Sequence, residues 1–212
     1  MLSSLLITRY SKFQLVIAAI ALFFTAQASM AGDAARGEVI VDTCKGCHAV
    51  EGYQNVYPTY HVPRVAGQSA AYIASALTLY RDGNRDHSTM TAQAGSLSDQ
   101  DIQDLAAYLA ASGPQLDATQ EAQGEAPAAA VVCSACHGAA GITPIPGNPN
   151  LAGQHIDYLE QAAQQYKAGE RRGPNAIAMQ AQMNAISDED LQAVLLFYSQ
   201  QDGVTSLPFK RF

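Results

Sequence analysis

The sequence predicts an all-α protein made of two similar halves, each with about three main helices, and three observations support this fold class. No stretch shows the extended alternation of Val, Ile and Thr that is typical of a β-strand. Apolar residues recur instead three and four positions apart, which is the spacing of one helix face. Finally, one cysteine motif and the segments that follow it occur twice, which indicates a tandem duplication.

Every cysteine belongs to one of two CxxCH motifs. Their members are Cys44, Cys47 and His48 in the first half and Cys133, Cys136 and His137 in the second. This spacing attaches a c-type haem: the thiols form thioethers with the haem vinyl groups, and the histidine becomes an iron ligand. A zinc site would need a further pair at ligand spacing to complete a tetrahedron. Because the two motifs use all the cysteines, the sequence predicts two covalently bound haem c groups rather than zinc or a thiol redox centre.

The duplication has a measurable offset. The second motif lies 89 residues after the first, and the same shift carries Met90 onto Met179. Between these anchors the shift is 86, which aligns Gln68 with Gln154. The length differences fall in stretches rich in Gly, Pro and polar residues, where surface loops tolerate insertions.

Three helices are expected in each half from their start and stop signals. The expected pairs are roughly 34–48 and 127–137, then segments beginning near Gln68 and Gln154, then segments capped by Ser98 and Ser187. The last pair is the best defined, because Ser98 is followed three positions later by Asp101, which is the pattern of a capping box.

The identity of the second axial ligand of each haem iron determines whether the haem transfers electrons or binds and activates small molecules. Met90 and Met179 are the predicted ligands, because they are equivalent in the repeat and a thioether favours reduced iron, which suits an electron carrier. The other interpretation is that they fill the core, as most methionines do. Met183, His61 and His87 are rival ligands, but none has an equivalent of its own kind in the other half.

Pro63 and Pro149 recur at one point in the loop after each haem histidine. From spacing alone, two interpretations stay open. Such a loop could place a main-chain carbonyl against the outer N–H of the imidazole, or it could be an ordinary rigid turn.

Residues 1–31 have the features of a secretory signal peptide. Arg9 and Lys12 precede an apolar stretch, and small residues follow, with cleavage expected near Ala31. The apolar stretch is about a dozen residues, shorter than the roughly 20 needed to cross a bilayer, so an uncleaved anchor is the lesser alternative. The expected location is therefore the periplasm.

The chain is acidic. Its formal net charge is −7, and loss of the two basic residues of the signal peptide would make it −9. No Lys/Arg stripe is available to neutralise phosphates, so nucleic acid is not an expected partner. The acidity either favours a basic docking patch on a redox partner or serves only solubility.

The mature chain is expected to form two domains, over 32–115 and 116–212. The stretch around the boundary has few apolar residues and two helix breakers, so 116–125 is the predicted linker.

Several segments resemble the dihaem cytochrome c4 family of bacterial proteins, which contain two tandem class I cytochrome c domains. The resemblance covers about residues 32–205, and it is closest in the runs Cys133-Ser-Ala-Cys-His-Gly, Pro149-Asn-Leu-Ala-Gly-Gln and Ile186-Ser-Asp-Glu-Asp-Leu and at Met179. It implies His/Met ligation in both domains and haem edges that face each other. It also implies that the Pro63 and Pro149 carbonyls bond to the haem histidines and that electrons pass to a terminal oxidase or a similar acceptor.

The first half is also similar to single-haem, c553-like bacterial cytochromes in a tyrosine-rich stretch between Glu51 and Arg64. Three interpretations stay open for its tyrosines. They could cover a haem propionate, form a docking surface for a partner, or pack over a haem edge.

These observations predict a periplasmic one-electron carrier with no catalytic residues and no small-molecule substrate. The expected partners are redox proteins, such as a quinol-oxidising complex and a terminal oxidase of a respiratory chain, or a periplasmic reductase or dehydrogenase. Peripheral membrane association is left open. The alternatives are an electron-accepting haem subunit, as for thiosulfate dehydrogenase, a dihaem peroxidase, or a small-ligand sensor. A peroxidase needs an acid/base residue beside an open haem face, for which only His61 and His87 are candidates.

Overall fold

A computed structural model describes residues 31–209, and this part of the chain contains nine α-helices. They are α1 (Ala34–Ile40), α2 (Asp42–His48), α3 (Ala70–Arg81), α4 (Ser88–Ala94), α5 (Asp99–Ala111), α6 (Ala130–His137), α7 (Ile156–Lys167), α8 (Ala176–Ala185) and α9 (Asp188–Ser199). Over the same residues β-structure is limited to two isolated bridges, Gln54 with His61 and Ala66 with Thr205. The all-α fold class is therefore confirmed. The predicted signal peptide lies outside the described residues apart from Ala31, so it stays a prediction.

The first predicted helix is broken in two. At Val41 the ladder changes to a tighter turn, since the Val41 carbonyl accepts from the Cys44 N–H at 2.8 Å as well as from the Lys45 N–H at 3.3 Å. The Val41 side chain is fully buried in the core of the first half. The break therefore anchors the start of α2, the helix that carries the first haem motif.

Helix α1 crosses α5 at a glycine. A Cβ atom on Gly37 would lie 2.2 Å from the main-chain carbonyl oxygen of Asp104, so only glycine permits this approach. The Asp104 carboxylate, fully buried on α5, accepts hydrogen bonds from the Asp33 N–H and from the Arg36 guanidinium. The N-terminal helix is thus fixed by both close packing and charge.

Helices α4 and α8 were not predicted, and they carry the two candidate methionine ligands. Met90 is the third residue of α4 and Met179 the fourth residue of α8. The first half therefore has two helices more than the sequence indicated, since its first predicted helix is also split, and the second half has one more.

The predicted start of the last helix in each half is confirmed. Ser98 accepts from the Asp101 N–H at 3.1 Å, and the Asp101 carboxylate accepts from the Ser98 N–H at 3.0 Å, which completes a capping box. In the second half Ser187 likewise accepts from the Asp190 N–H at 3.1 Å. These caps set where α5 and α9 begin.

Each half has its own apolar core. The first contains Val41, Ala66, Ile73, Leu105, Ala106, Leu109 and, from the end of the chain, Leu207. The second contains Leu159, Ala163, Met183, Leu191 and Leu195, beside a neighbouring cluster of Ala130, Val194, Phe197 and Tyr198. The last helix of each half contributes more of these side chains than any other element.

The segment after α9 crosses from the second half to the first; we call Val204–Leu207 the C-terminal strap. Thr205 pairs with Ala66, each N–H donating to the other carbonyl at 3.0 Å. The Leu207 side chain is only 3% exposed, and its N–H donates to the carbonyl of His48 at 2.9 Å. The C-terminal strap thus contacts the last residue of the first haem motif.

Within the described range, no helix has the length and apolar character needed to span a membrane.

Candidate haem sites

Both haem motifs occupy the last turns of a helix. Helix α2 ends at His48 and α6 ends at His137, so in each case two thiols one turn apart precede a terminal histidine. Gly138, which follows the second motif, has φ 81° and a Cβ there would lie 2.0 Å from the Ile142 carbonyl oxygen. The second motif is therefore followed by a turn that only glycine can form.

The two histidines make the same hydrogen bond to the loops that follow them. His48 Nδ1 lies 2.8 Å from the Pro63 carbonyl oxygen, and His137 Nδ1 lies 3.0 Å from the Pro149 carbonyl oxygen. A carbonyl can only accept, so Nδ1 carries the proton in both rings. The lone pair is then on Nε2, which is the nitrogen that an iron ion requires.

The surroundings favour the neutral form of both imidazoles. Burial lowers the pKa of His48, although the Pro63 carbonyl acts in the opposite direction. Burial lowers the pKa of His137 in the same way, against the effect of the Pro149 carbonyl. A neutral imidazole is the form that binds a metal.

The methionines differ in their surroundings. Met90 and Met179 are partly exposed, whereas Met183 is only 6% exposed and is part of the second core. The Met90 N–H donates to His87 Nδ1 at 3.3 Å, so the histidine side chain caps α4. Ligation by Met90 and Met179 stays a prediction.

Two further histidines meet at the boundary between the halves. His61 stacks on His155, with ring centroids 4.6 Å apart and an interplanar angle of 21°. His61 Nδ1 also lies 2.6 Å from the Asp157 carboxylate, which accepts from the His61 N–H as well. The sequence could not pair these residues, since neither histidine has a counterpart in the repeat.

Two buried arginines form a site that sequence analysis missed. Arg85 and Arg171 are only 5% and 7% exposed, and among the described residues neither takes part in an ion pair with a carboxylate. Four tyrosines surround them: Tyr72, Tyr80, Tyr158 and Tyr166. The signal that could have found the pair is the shift of 86, which carries Arg85 onto Arg171.

The arginine pair is short of negative charge. Arg85 Nε is buried with no hydrogen-bond partner among the described atoms. Burial acts to raise the pKa of Tyr158, but the guanidiniums of Arg85 and Arg171 outweigh it and lower this pKa to about 7. Two buried positive charges destabilise a fold unless an anion compensates them. The cluster is therefore suited to carboxylates supplied from outside the polypeptide.

These observations fit haem c. Each half offers two thiols for thioether bonds and an imidazole whose Nε2 is free to bind iron, and the arginine cluster matches the charge of haem propionates.

The tyrosine-rich stretch divides between the interior and the surface. Tyr60 is 7% exposed, with its ring centroid 6.3 Å from that of Tyr158 in the other half. Tyr57 is 95% exposed at the tip of the loop. The stretch therefore contributes one tyrosine to the boundary and presents another to solvent.

An all-α fold in which two equivalent helices end in CxxCH defines a tandem c-type cytochrome. The family model described as cytochrome c accordingly matches residues 34–112 and again residues 122–201. The chain belongs to the dihaem cytochrome c4 family, and it holds two covalently bound haem c groups. The predicted resemblance and cofactors are thus confirmed.

Three similar proteins illustrate the relationship. Cytochrome c4 of Pseudomonas aeruginosa is 32% identical over 192 residues, which cover 85% of this chain and 94% of that one. The thiosulfate dehydrogenase electron acceptor of Thiomonas intermedia is 31% identical over 194 residues, covering 85% and 87%. The crystal structure of reduced cytochrome c4 from Pseudomonas stutzeri matches with a TM-score of 0.62 at 28% identity, covering 81% of this chain and all of that one.

Proposed function

We propose that this protein is a periplasmic one-electron carrier between respiratory redox partners, such as a quinol-oxidising complex and a terminal oxidase. The observation that supports this most directly is the hydrogen bond from each haem histidine to a proline carbonyl, which leaves Nε2 available in both halves. When bound, each haem supplies exchange of a single electron between ferric and ferrous iron.

The ligand set follows from the repeat. Cys44, Cys47, Cys133 and Cys136 form the thioethers, and His48 and His137 bind iron through Nε2. Met90 and Met179 would supply the further iron ligands, each carried by a short helix just before the last helix of its half. A thioether stabilises the ferrous state and raises the potential, as a carrier that delivers electrons to an oxidase requires.

Spectroscopy of single-site variants tests this assignment. The wild-type protein should be low-spin in both haems and show the weak charge-transfer band of methionine-ligated ferric haem at the red end of the visible spectrum. Met90→Ala and Met179→Ala should each convert one haem to another spin or ligand state and remove half of that band. Met183→Leu is the matched control, because Met183 lies in the core and should leave both spectra unchanged.

High-spin iron in both domains of the wild-type protein would overturn the proposal. A low-spin protein whose spectrum is unaffected by Met90→Ala would overturn the ligand assignment for the first haem alone. Export is checked separately by N-terminal sequencing of the mature protein, which we expect to begin near residue 32.

A second candidate is an electron-accepting haem subunit that works with a periplasmic oxidoreductase. A relative with this role, a thiosulfate dehydrogenase electron acceptor, matches over most of both chains. Mixing the oxidised protein with thiosulfate and a thiosulfate dehydrogenase distinguishes the two. Fast reduction favours the second candidate, while fast exchange with a terminal oxidase and slow reduction by the dehydrogenase favours the first.

A further inference from the structure

Gln68 and Gln154 are equivalent in the repeat, and each reaches across the boundary to the main chain of the other half. Gln68 Oε1 accepts from the Asn150 N–H at 2.7 Å, and its Nε2 donates to the Asn150 carbonyl at 2.9 Å. Gln154 makes the same two bonds to Arg64, both at 2.9 Å. Both glutamines are about 95% buried (5% and 4% exposed), so these hydrogen bonds are shielded from solvent.

The two residues that the glutamines hold directly follow the prolines whose carbonyls bond to the haem histidines. The Arg64 N–H and the Pro63 carbonyl therefore belong to one planar, conjugated peptide group. This peptide group accepts from His48 Nδ1 at 2.8 Å and donates to Gln154 Oε1 at 2.9 Å. A hydrogen-bonded relay thus runs from the first haem histidine to a glutamine of the second half.

The second haem histidine has the reciprocal relay. The peptide group between Pro149 and Asn150 accepts from His137 Nδ1 at 3.0 Å and donates to Gln68 Oε1 at 2.7 Å. Each histidine is therefore connected through a single peptide group to a glutamine of the opposite half.

The acceptor oxygens are held in place from their own side as well. Gln68 Oε1 accepts from the Ser69 N–H at 2.8 Å, and Gln154 Oε1 accepts from the His155 N–H at 3.1 Å. These main-chain N–H groups of Ser69 and His155 lie at the starts of α3 and α7. Each glutamine oxygen is therefore fixed between the helix that follows it and the proline loop of the other half.

Such an arrangement acts on the imidazole by polarisation. A peptide group that donates through its N–H is a stronger acceptor at its carbonyl, because hydrogen bonds in a chain reinforce one another in a low-dielectric interior. A stronger acceptor at Nδ1–H increases the electron density at Nε2, which makes the histidine a more basic iron ligand. More basic ligation favours ferric iron and lowers the reduction potential.

We propose that Gln68 and Gln154 are positioning residues that act crosswise: Gln154 sets the basicity of His48, and Gln68 sets that of His137. This inference rests on the histidine ligation of the proposed function. It predicts that a substitution in one half changes the haem of the other half.

The test is a redox titration in which the haem methyl signals are followed by paramagnetic proton NMR, so that each haem is measured separately. Gln154→Leu should raise the potential of the first haem and leave the second unchanged, whereas Gln68→Leu should raise only the second. Gln154→Glu and Gln68→Glu should lower the same potentials, because a carboxylate accepts more strongly than an amide.

Gln201→Leu is the matched control. Its amide is 4% exposed and accepts from the Gln123 N–H at 2.7 Å while donating to the Gln123 carbonyl at 3.0 Å, the same pair of bonds without a haem histidine. It should destabilise the fold and move neither potential. If a leucine variant does not fold, Gln154→Met and Gln68→Met, which keep the length of the side chain, take its place.

Three results would overturn the inference: a shift of the haem in the substituted half, equal shifts of both haems, or shifts of the same sign for Leu and Glu. If any of these results is found in a protein that keeps low-spin His/Met spectra, it refutes the crosswise relay and leaves the proposed function standing. Spectra without histidine and methionine ligation would instead remove the proposed function.

Discussion

The guanidinium of Arg85 in the first half donates from Nη2 to the hydroxyl of Tyr158 in the second half, at 2.8 Å. Arg171 of the second half places its own guanidinium carbon 5.7 Å from the ring centroid of the same tyrosine. Two cations from different halves thus converge on one phenol, and both influence the electrostatics of the boundary.

Removing the charge of Arg85 should lower a haem potential. A buried cation favours ferrous over ferric iron, because the ferrous centre carries one positive charge less. We therefore expect Arg85→Leu to lower the potential of at least one haem, while Arg85→Lys stays closer to wild type. Redox titration measures the shift. Arg81→Leu is the control, since Arg81 is partly exposed and its charge is already paired with Asp99 at 2.8 Å; an equal shift there would contradict the prediction.

Leu207 should stabilise the first half although it belongs to the last segment of the chain. Its side chain is 3% exposed in the first core, and Leu→Ala substitutions at buried sites cost about 2–5 kcal/mol. Denaturant unfolding of Leu207→Ala, with hydrogen exchange of α2 and α5, should show this loss in the first half. Phe209→Ala serves as the control because Phe209 is 65% exposed, and it should change the free energy of unfolding by less than about 0.5 kcal/mol.

Gly37→Ala should destabilise the packing of α1 on α5. The added Cβ would lie 2.2 Å from a main-chain oxygen, which cannot move aside as the end of a side chain can. Overpacking of this kind costs about 1–3 kcal/mol, measurable as a lower denaturation midpoint. Gly46→Ala, in α2 with nothing within 4 Å of the new Cβ, should be neutral or slightly stabilising. Equal effects of the two substitutions would refute this account.

The capping box at the start of α5 should make the stability of the fold depend on pH. The Ser98 hydroxyl and N–H, with the Arg36 guanidinium, lower the pKa of Asp101 from 3.8 to about 2. A depressed carboxyl pKa stabilises the fold above its ordinary value, and this contribution is lost as the pH falls through the folded value. The difference in denaturation midpoint between wild type and Asp101→Asn should therefore be largest at neutral pH, shrink as the pH falls towards about 2, and vanish below it. Ser98→Ala should lower the midpoint further in the Asp101→Asn background, because it removes the separate hydrogen bond from the Asp101 N–H to the Ser98 hydroxyl.

The haem motifs and the candidate ligands were accessible from sequence because their chemistry depends on local spacing. Two CxxCH runs and one shift sufficed to name Cys44 to His48 and Met90 with their counterparts. The helices around the methionines were missed because α4 has seven residues and α8 has ten, which is too short for a clear apolar face to show in the sequence. The break at Val41 was missed for the opposite reason: the periodicity continues, and burial in the core decides where the helix bends.

Contacts between the halves were not accessible from sequence. The shift of 86 showed that Gln68 and Gln154 correspond to each other, but correspondence within a repeat does not reveal what either residue touches. The same holds for the C-terminal strap, where a segment from Val204 to Leu207 has no periodicity that would assign it to the core of the other half. Such pairings are decided by packing of whole surfaces, which a local pattern does not encode.

The glutamine contacts belong to a set of six that exchange under the repeat. Arg64 Nη1 donates to the Gly153 carbonyl at 2.6 Å, and the equivalent Asn150 donates from Nδ2 to the Gly67 carbonyl at 3.1 Å. The other four bonds follow the same exchange: Gln154 makes two with Arg64, and the equivalent Gln68 makes two with Asn150. In this pattern residue i meets j and j meets i, which is the signature of an isologous, two-fold interface in a homodimer. Either half in isolation would thus carry a self-complementary surface. Fusion of two such subunits in one chain accounts for this two-fold pattern. Once fused, the two sides of the boundary can change independently in sequence, as the equivalent positions Arg64 and Asn150 already have.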